Sequence, residues 1–181
     1  MRRDNDAVSP GLRDDRARGP YGERPSAGGD AGNVIALRSP AFNDNTTLPP
    51  RFTKDGGNRS PALEWDEPPP GAVELALLCE DPDAPRGPFV HWLVTGIDPS
   101  MRSIEEAQSP PQATVWPNDF GQEGYGGPLP PVGDDPHRYV FRLYALGSPL
   151  GLSPGTDLDE VKAAMESSSL ATGTLTGWFV R

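Results

Sequence analysis

Three stretches of the chain carry apolar residues densely enough to be buried strands. From Val73 to Glu80, a two-residue repeat puts Val73, Leu75, Leu77 and Cys79 on one face. Ala76 and Leu78 make the other face apolar too, which predicts a strand central in a sheet covered on both sides. From Phe89 to Ile97, alternation puts Phe89, His91, Leu93 and Ile97 on one face and Val90, Trp92 and Val94 on the other. The third stretch runs from Tyr139 to Leu146. If its extended backbone starts two residues early, His137, Tyr139, Phe141 and Leu143 share a face.

Weaker signals fill the gaps. Val34-Ile35-Ala36-Leu37 reads as a short first strand, and Leu63-Glu64-Trp65 as a brief one closed by Pro68-Pro69-Pro70-Gly71. Residues 98–136 read as loop, with a short helix allowed at Ile104-Glu105-Glu106-Ala107. The one firm helix follows Pro154-Gly155-Thr156. Asp157 is its N-cap, Glu160 sits three residues on as in a capping box, and Leu158, Val161 and Met165 form its stripe. Leu175 to Val180 reads as the last strand. The fold class is mainly β. Residues 1–33 hold almost no large apolar side chain and are expected to be a disordered tail, with the domain spanning 34–181.

Composition supports this outline. Proline makes up 23 of 181 residues, against a usual share of about 5%, and much of it lies between apolar runs. The formal charge is −10, and it is uneven: residues 1–32 hold six Arg against six Asp or Glu, while residues 33–181 hold 10 basic and 20 acidic residues. That balance argues against nucleic acid and against a polybasic membrane anchor. No stretch approaches the ~18 apolar residues of a membrane span. The single cysteine, Cys79, lies in an apolar run and reads as a small buried hydrophobe, with no internal disulfide possible. No apolar run follows Arg2 and Arg3, so no secretory signal is expected and the cytoplasm is the expected location.

Candidate chemistry gathers at the two histidines. Asp81-Pro82-Asp83-Ala84-Pro85 follows the central strand directly; its prolines fix φ and withdraw two backbone donors, holding Asp81 and Asp83 in set directions. A cis X-Pro bond is compatible with such a turn. His91 then interrupts an apolar strand. His137 precedes Arg138 and Tyr139 behind a loop in which Pro130-Pro131 adds rigidity and Gly126, Gly127 and Gly133 would let backbone approach a ligand. Three chemistries fit a pocket of two imidazoles, carboxylates and a phenol. Imidazoles, the Tyr139 hydroxyl and loop N–H groups could hold a small oxyanion such as a phosphate ester. Two His and two Asp could hold zinc, although no close pair of ligands is present. A histidine could serve as the general base of a hydrolase, although no Gly-x-Ser-x-Gly elbow is present and no serine adjoins either histidine motif.

Taken in order, Asp81-Pro82-Asp83-Ala84-Pro85, His91-Trp92, Gly124-Tyr125-Gly126-Gly127-Pro128 with Pro130-Pro131, and His137-Arg138-Tyr139 resemble the phosphatidylethanolamine-binding protein family. The likeness is strongest to its bacterial and archaeal Raf-kinase-inhibitor-like branch. Ser60-Pro61-Ala62-Leu63-Glu64-Trp65 and Asn118-Asp119-Phe120-Gly121 resemble further family segments, and the similarity covers about residues 34–181. The resemblance implies a central antiparallel sheet, a smaller second sheet and few short helices. It implies a non-enzymatic protein with no cofactor and an anion pocket formed by Asp81, His91, Pro131, His137 and Tyr139. Asp83, Pro85, Phe89, Gly126 and Gly127 would support that pocket. It also implies regulation or inhibition of a protein partner, a protease or kinase, with or without use of the pocket.

Three departures stand out. Phe89 occupies a wall position where animal relatives often carry tryptophan, so the wall keeps its aromatic ring and loses an N–H donor. Glu166-Ser167-Ser168-Ser169-Leu170-Ala171 lacks a histidine that many bacterial relatives carry there. The animal family's C-terminal helix has no counterpart before Arg181, so kinase regulation is not implied from that branch.

Overall fold

The computed structural model describes residues 34–181; the tail expected over 1–33 lies outside them. In chain order the elements are β1 (Leu37–Arg38), β2 (Thr46–Thr47), a 3-10 turn (Pro50–Phe52), β3 (Leu63–Trp65), β4 (Glu74–Asp81), β5 (Phe89–Ile97), β6 (Ser103–Ile104), β7 (Thr114–Val115), β8 (His137–Leu146), α1 (Leu158–Ser168) and β9 (Ser169–Phe179). A six-stranded sheet has the order β2-β9-β8-β4-β5-β7, and a three-stranded sheet has the order β1-β3-β6. All pairings are antiparallel except β2 with β9.

β4 lies between β5 and β8 and is covered on both faces, as its pattern predicts. Leu75, Leu77 and Cys79 join Phe141 and Leu143 of β8 in the core that the small sheet closes with Leu37, Leu63, Trp65 and Ile104. Ala76 and Leu78 face the other way, against Val161 and Met165 of α1 and the Trp116 ring. The α1 stripe is thus the one its spacing gives, and Asp157 caps the helix by accepting from the Asp159 N–H at 2.9 Å. Full burial of each Leu in these layers stabilises by about 1.5–3 kcal/mol.

β5 departs from simple alternation. Leu93 pairs with Leu78 and Trp92 with Cys79, but Val90 pairs with Glu80. His91 is therefore an extra residue, a β-bulge. The bulge shifts the phase, so Val90 and Leu93 both pack on the helix side, while Trp92 and Val94 pack in the inter-sheet core. The expected grouping of Val90 with Trp92, and of Leu93 with His91, is overturned by this one inserted residue.

β9 starts directly after the helix, six residues earlier than its apolar pattern suggests. Its inward face is built partly from glycine. A Cβ on Gly173 would sit 2.5 Å from the Ile35 carbonyl oxygen, and one on Gly177 would sit 2.5 Å from the Leu48 side chain. Neighbouring chain crosses too closely for larger residues, and this erases the hydrophobic alternation. Two other expectations change. Residues 104–107 form the end of β6 and a turn rather than a helix, and Val34 makes an isolated bridge to Thr172 ahead of β1. Among the described residues every peptide bond is trans.

Candidate functional site

The strong strands deliver both histidine motifs to one end of the inter-sheet core. β4 ends at Asp81, where the inward row Leu75, Leu77, Cys79 turns from apolar to charged. Asp81 is 4% exposed. Its Oδ1 accepts the Asp83 N–H at 2.8 Å, which folds the Pro-rich turn back on itself. Its Oδ2 accepts the Nδ1–H of His137 at 2.8 Å. His137 is the first residue of β8, so the extended backbone does start early enough to put it on the face of Tyr139, Phe141 and Leu143.

The second aspartate of the turn has a different task. Asp83 accepts the Arg138 backbone N–H at 2.9 Å, its Nε–H at 2.9 Å and its terminal N–H at 2.6 Å. The guanidinium hydrogen bonds hold the Asp83 carboxyl down at about 2. Asp83 thus ties the turn to β8.

His137 lies between two carboxylates, Asp81 at Nδ1 and Asp134 with Oδ2 3.5 Å from Nε2. Burial works against a charge on the ring. The hydrogen bond and charge of Asp81, reinforced by Asp134, outweigh it and raise the pKa above its usual value. His91 is the opposite case. It is 3% exposed, and its ring contacts Phe89, Phe120 and Tyr139 with centroids 5.0, 5.5 and 5.1 Å away. Burial lowers its pKa, and the Gly126 carbonyl, Asp81 and Asp119 offset that only in part. Its Nδ1–H donates to the Gly126 carbonyl, and the Gly126 N–H returns a bond to the His91 carbonyl at 2.8 Å.

The loop carrying Gly126 is anchored by residues that the sequence marks only through the family resemblance of their segments, and in the case of Asn58 not at all. Buried Asn118 donates to the Gly124 carbonyl and accepts from the Phe120 and Gln122 N–H groups. Asp119 accepts the Val90 N–H at 2.6 Å. The Tyr125 hydroxyl donates to the Phe52 carbonyl, and the Gly127 N–H donates to Asn58 Oδ1 at 2.7 Å.

Between the Asp81–Phe89 turn and the Leu129–His137 segment lies a cavity of about 250 Å³. Asp81, Pro85, Phe89, His91, Pro131 and His137 are among the residues that line it. Arg86, Phe120 and Leu129 line it too and were missed; Arg86, directly after the Asp-Pro-Asp-Ala-Pro run, and Phe120, in a segment that resembles the family, offered a signal. Three of the expected residues lie off the cavity wall. Tyr139 does not line the cavity; it is 1% exposed and packs edge-on against His91. Burial and the charge of Asp81 push its hydroxyl pKa far up, so it stays protonated, and the hydroxyl has no hydrogen-bond partner among the described residues. Gly126 and Gly127 also lie off the cavity wall. Their missing side chains admit the Phe120 ring and the backbone of residues 52–54 rather than a ligand.

Comparison with known proteins places the chain in a family. The family model described as phosphatidylethanolamine-binding protein matches residues 38–180. A UPF0098 protein of Methanothermobacter thermautotrophicus is 43% identical over 150 residues, covering 80% of this chain and 98% of that protein. LppC of Mycobacterium tuberculosis, which bears a lipoprotein name, is 40% identical over 149 residues, covering 82% of this chain and 74% of that protein. Among the described residues no helix is long and apolar enough to cross a membrane. The crystal structure of E. coli YbcL superposes with a TM-score of 0.77 at 27% identity, covering 81% of this chain and 98% of that one. The strand order, the turn that positions Asp81 and His137, and these matches lead to one conclusion: the chain belongs to the phosphatidylethanolamine-binding protein family.

Proposed function

We propose that this protein is a non-enzymatic binder of a small anionic or phosphate-bearing ligand, taken up in the cavity beside Asp81 and His137. The Asp81–His137 pair carries this reading: it sets an imidazole biased toward its cationic form into the wall of a largely apolar cleft. Phe89, Phe120, Leu129, Pro130 and Pro131 supply the apolar walls. There a charge-assisted hydrogen bond is worth more than in water. Arg86 adds a cation at the rim and takes part in none of the ion pairs among the described residues.

Turnover is the less supported reading. No Ser, Thr or Cys lines the cavity. Cys79 is buried, and burial pushes its thiol pKa well up. Among the described residues no three His, Cys, Asp or Glu side chains gather as metal ligands. Regulation of a protein partner, a protease or kinase, would use the same cavity for an acidic or phosphorylated side chain. The test is a proton NMR titration with inorganic phosphate and phosphoethanolamine. The His91 and His137 ring resonances should move, and rings that stay put at millimolar ligand would rule the reading out.

A further inference from the structure

The polar atoms left open in the cavity are unevenly divided between donors and acceptors. His91 gives its Nδ1–H to the Gly126 carbonyl, and the return bond from Gly126 fixes that arrangement. Its Nε2 has no hydrogen-bond partner among the described residues and is not sealed from solvent by them. On a neutral ring protonated at Nδ1, Nε2 is a lone pair. The surroundings favour the neutral ring. Phe89 and the loop's Phe120 pack on it, and Tyr139 of β8 meets it edge-on. The nearby charges are Asp81 on β4, Asp119 in the loop and Lys54, whose Nζ lies 4.3 Å from the Phe120 ring centre; no carboxylate bonds to the imidazole. Asp81, a second polar element of the wall, is an acceptor only while ionised, and both of its oxygens already accept a hydrogen bond. The donors of the lining are His137 and Arg86.

We infer that the cavity selects a singly protonated phosphate monoester, whose P–OH donates to His91 Nε2 while its anionic oxygens face His137 and Arg86. The inference rests on the cavity being the anion site proposed above. A dianion would set an oxygen lone pair against the Nε2 lone pair, and a diester has no P–OH to give. An ammonium group could supply a donor, but stripping its water among Phe89, Phe120 and Leu129 costs far more than burying a neutral hydroxyl.

The experiment titrates the full chain with four probes across pH, followed by phosphorus and proton NMR. The probes are methyl phosphate, methylphosphonate, dimethyl phosphate and glycerophosphoethanolamine. Affinity for methyl phosphate should fall about tenfold per pH unit above the ligand's second pKa near ~6. The midpoint should move upward with methylphosphonate, whose second pKa is higher. Dimethyl phosphate should bind about tenfold more weakly than methyl phosphate at the pH where methyl phosphate binds best, the loss of one hydrogen bond to a charged group. A midpoint that ignores the ligand's pKa would assign the proton to His137 and overturn the inference. Equal affinity for dimethyl phosphate would overturn it too. Glycerophosphoethanolamine binding as tightly as methyl phosphate would move the donor to an ammonium and have the same effect. If none of the four moves a histidine resonance, the anion-site reading falls along with its refinement.

Discussion

Asp81 and His137 lie 56 positions apart in the chain and meet with Oδ2 and Nδ1 2.8 Å apart, their side chains only 5% and 6% exposed. The contact joins the Pro-rich turn after β4 to the start of β8. It also separates the two histidines in character. His137, flanked by carboxylates, is biased toward the cation, whereas His91, flanked by aromatic rings and a carbonyl, is biased toward the neutral ring.

Removing one partner of this pair should change how stability varies with pH. His137 has a folded pKa raised above its unfolded value of about 6.5. Its contribution is therefore complete below pH ~6.5 and is lost as pH rises through the higher folded pKa. Urea unfolding across that window should show the wild type declining and Asp81→Asn nearly flat, with the His137 titration in the variant moved to lower pH. A decline of equal size in the variant would mean that the pair is not its source.

The long strands and the capped helix were legible because their residues repeat with a clean period and nothing interrupts it. The faces of β5 were not, because the bulge at His91 leaves no mark in composition; only the pairing of Val90 with Glu80 and Trp92 with Cys79 reveals it. The early start of β9 was hidden by Gly173 and Gly177, which satisfy a steric need that hydrophobicity does not record. At the site, Asp81, His91 and His137 stood out as polar groups beside apolar runs. Asn118 did not, since one buried amide bonding to three backbone groups has no spacing rule. Tyr139 was legible as a neighbour of His137, but its place beneath the wall depends on packing that only the assembled core defines.

The Asp83–Arg138 pair should give the protein a distinct acid limb. With the folded pKa at about 2 and the unfolded value at 3.8, its stabilisation is complete above pH 3.8 and disappears as pH falls through about 2. The pair is partly exposed, so the loss is of order 1 kcal/mol after solvent screening. Asp83→Asn should remove that part of the acid limb in a urea series from pH 5 to pH 2. It should also lower stability at neutral pH by a similar amount, about 1 kcal/mol.

The two glycines of the loop should differ in tolerance. A Cβ on Gly126 would approach the Phe120 ring at 2.5 Å, and that ring borders the cavity. Gly126→Ala should cost about 1–3 kcal/mol and shift the His91 ring resonance, because Phe120 must move and carries the packing of His91 with it. On Gly127 the collision is with backbone, the Phe52 carbonyl at 2.3 Å and the Lys54 nitrogen at 2.7 Å. Backbone gives way less easily than a ring, so Gly127→Ala should have the lower denaturation midpoint of the two. The reverse order would mean that the loop detaches from residues 52–54 at little cost.

Asp134 offers a gain rather than a loss. Its carboxylate lies 3.5 Å from His137 Nε2 and its side chain is 40% exposed. It sits just after Gly133, whose φ of +90° lets the chain turn beside the cavity. Nδ1–H is committed to Asp81, so Nε2–H is the proton that His137 can still offer, and Asp134 competes with an incoming anion for it. The substitution Asp134→Asn acts in two opposing ways. It removes a competitor and a like charge, which favours the anion; it also removes one cause of the raised His137 pKa, which disfavours the anion at high pH. Well below the His137 pKa, near pH 5.5, the ring is protonated in both proteins and only the first effect remains. There the variant should bind phosphate about fivefold more tightly, the equivalent of ~1 kcal/mol for an exposed charge. As pH rises through the His137 pKa the advantage should shrink, because the ring deprotonates earlier in the variant. Calorimetric titration with inorganic phosphate at pH 5.5 and through the His137 titration checks the sign and the decline. Weaker binding by the variant at pH 5.5 would instead make Asp134 part of the ligand's own contacts.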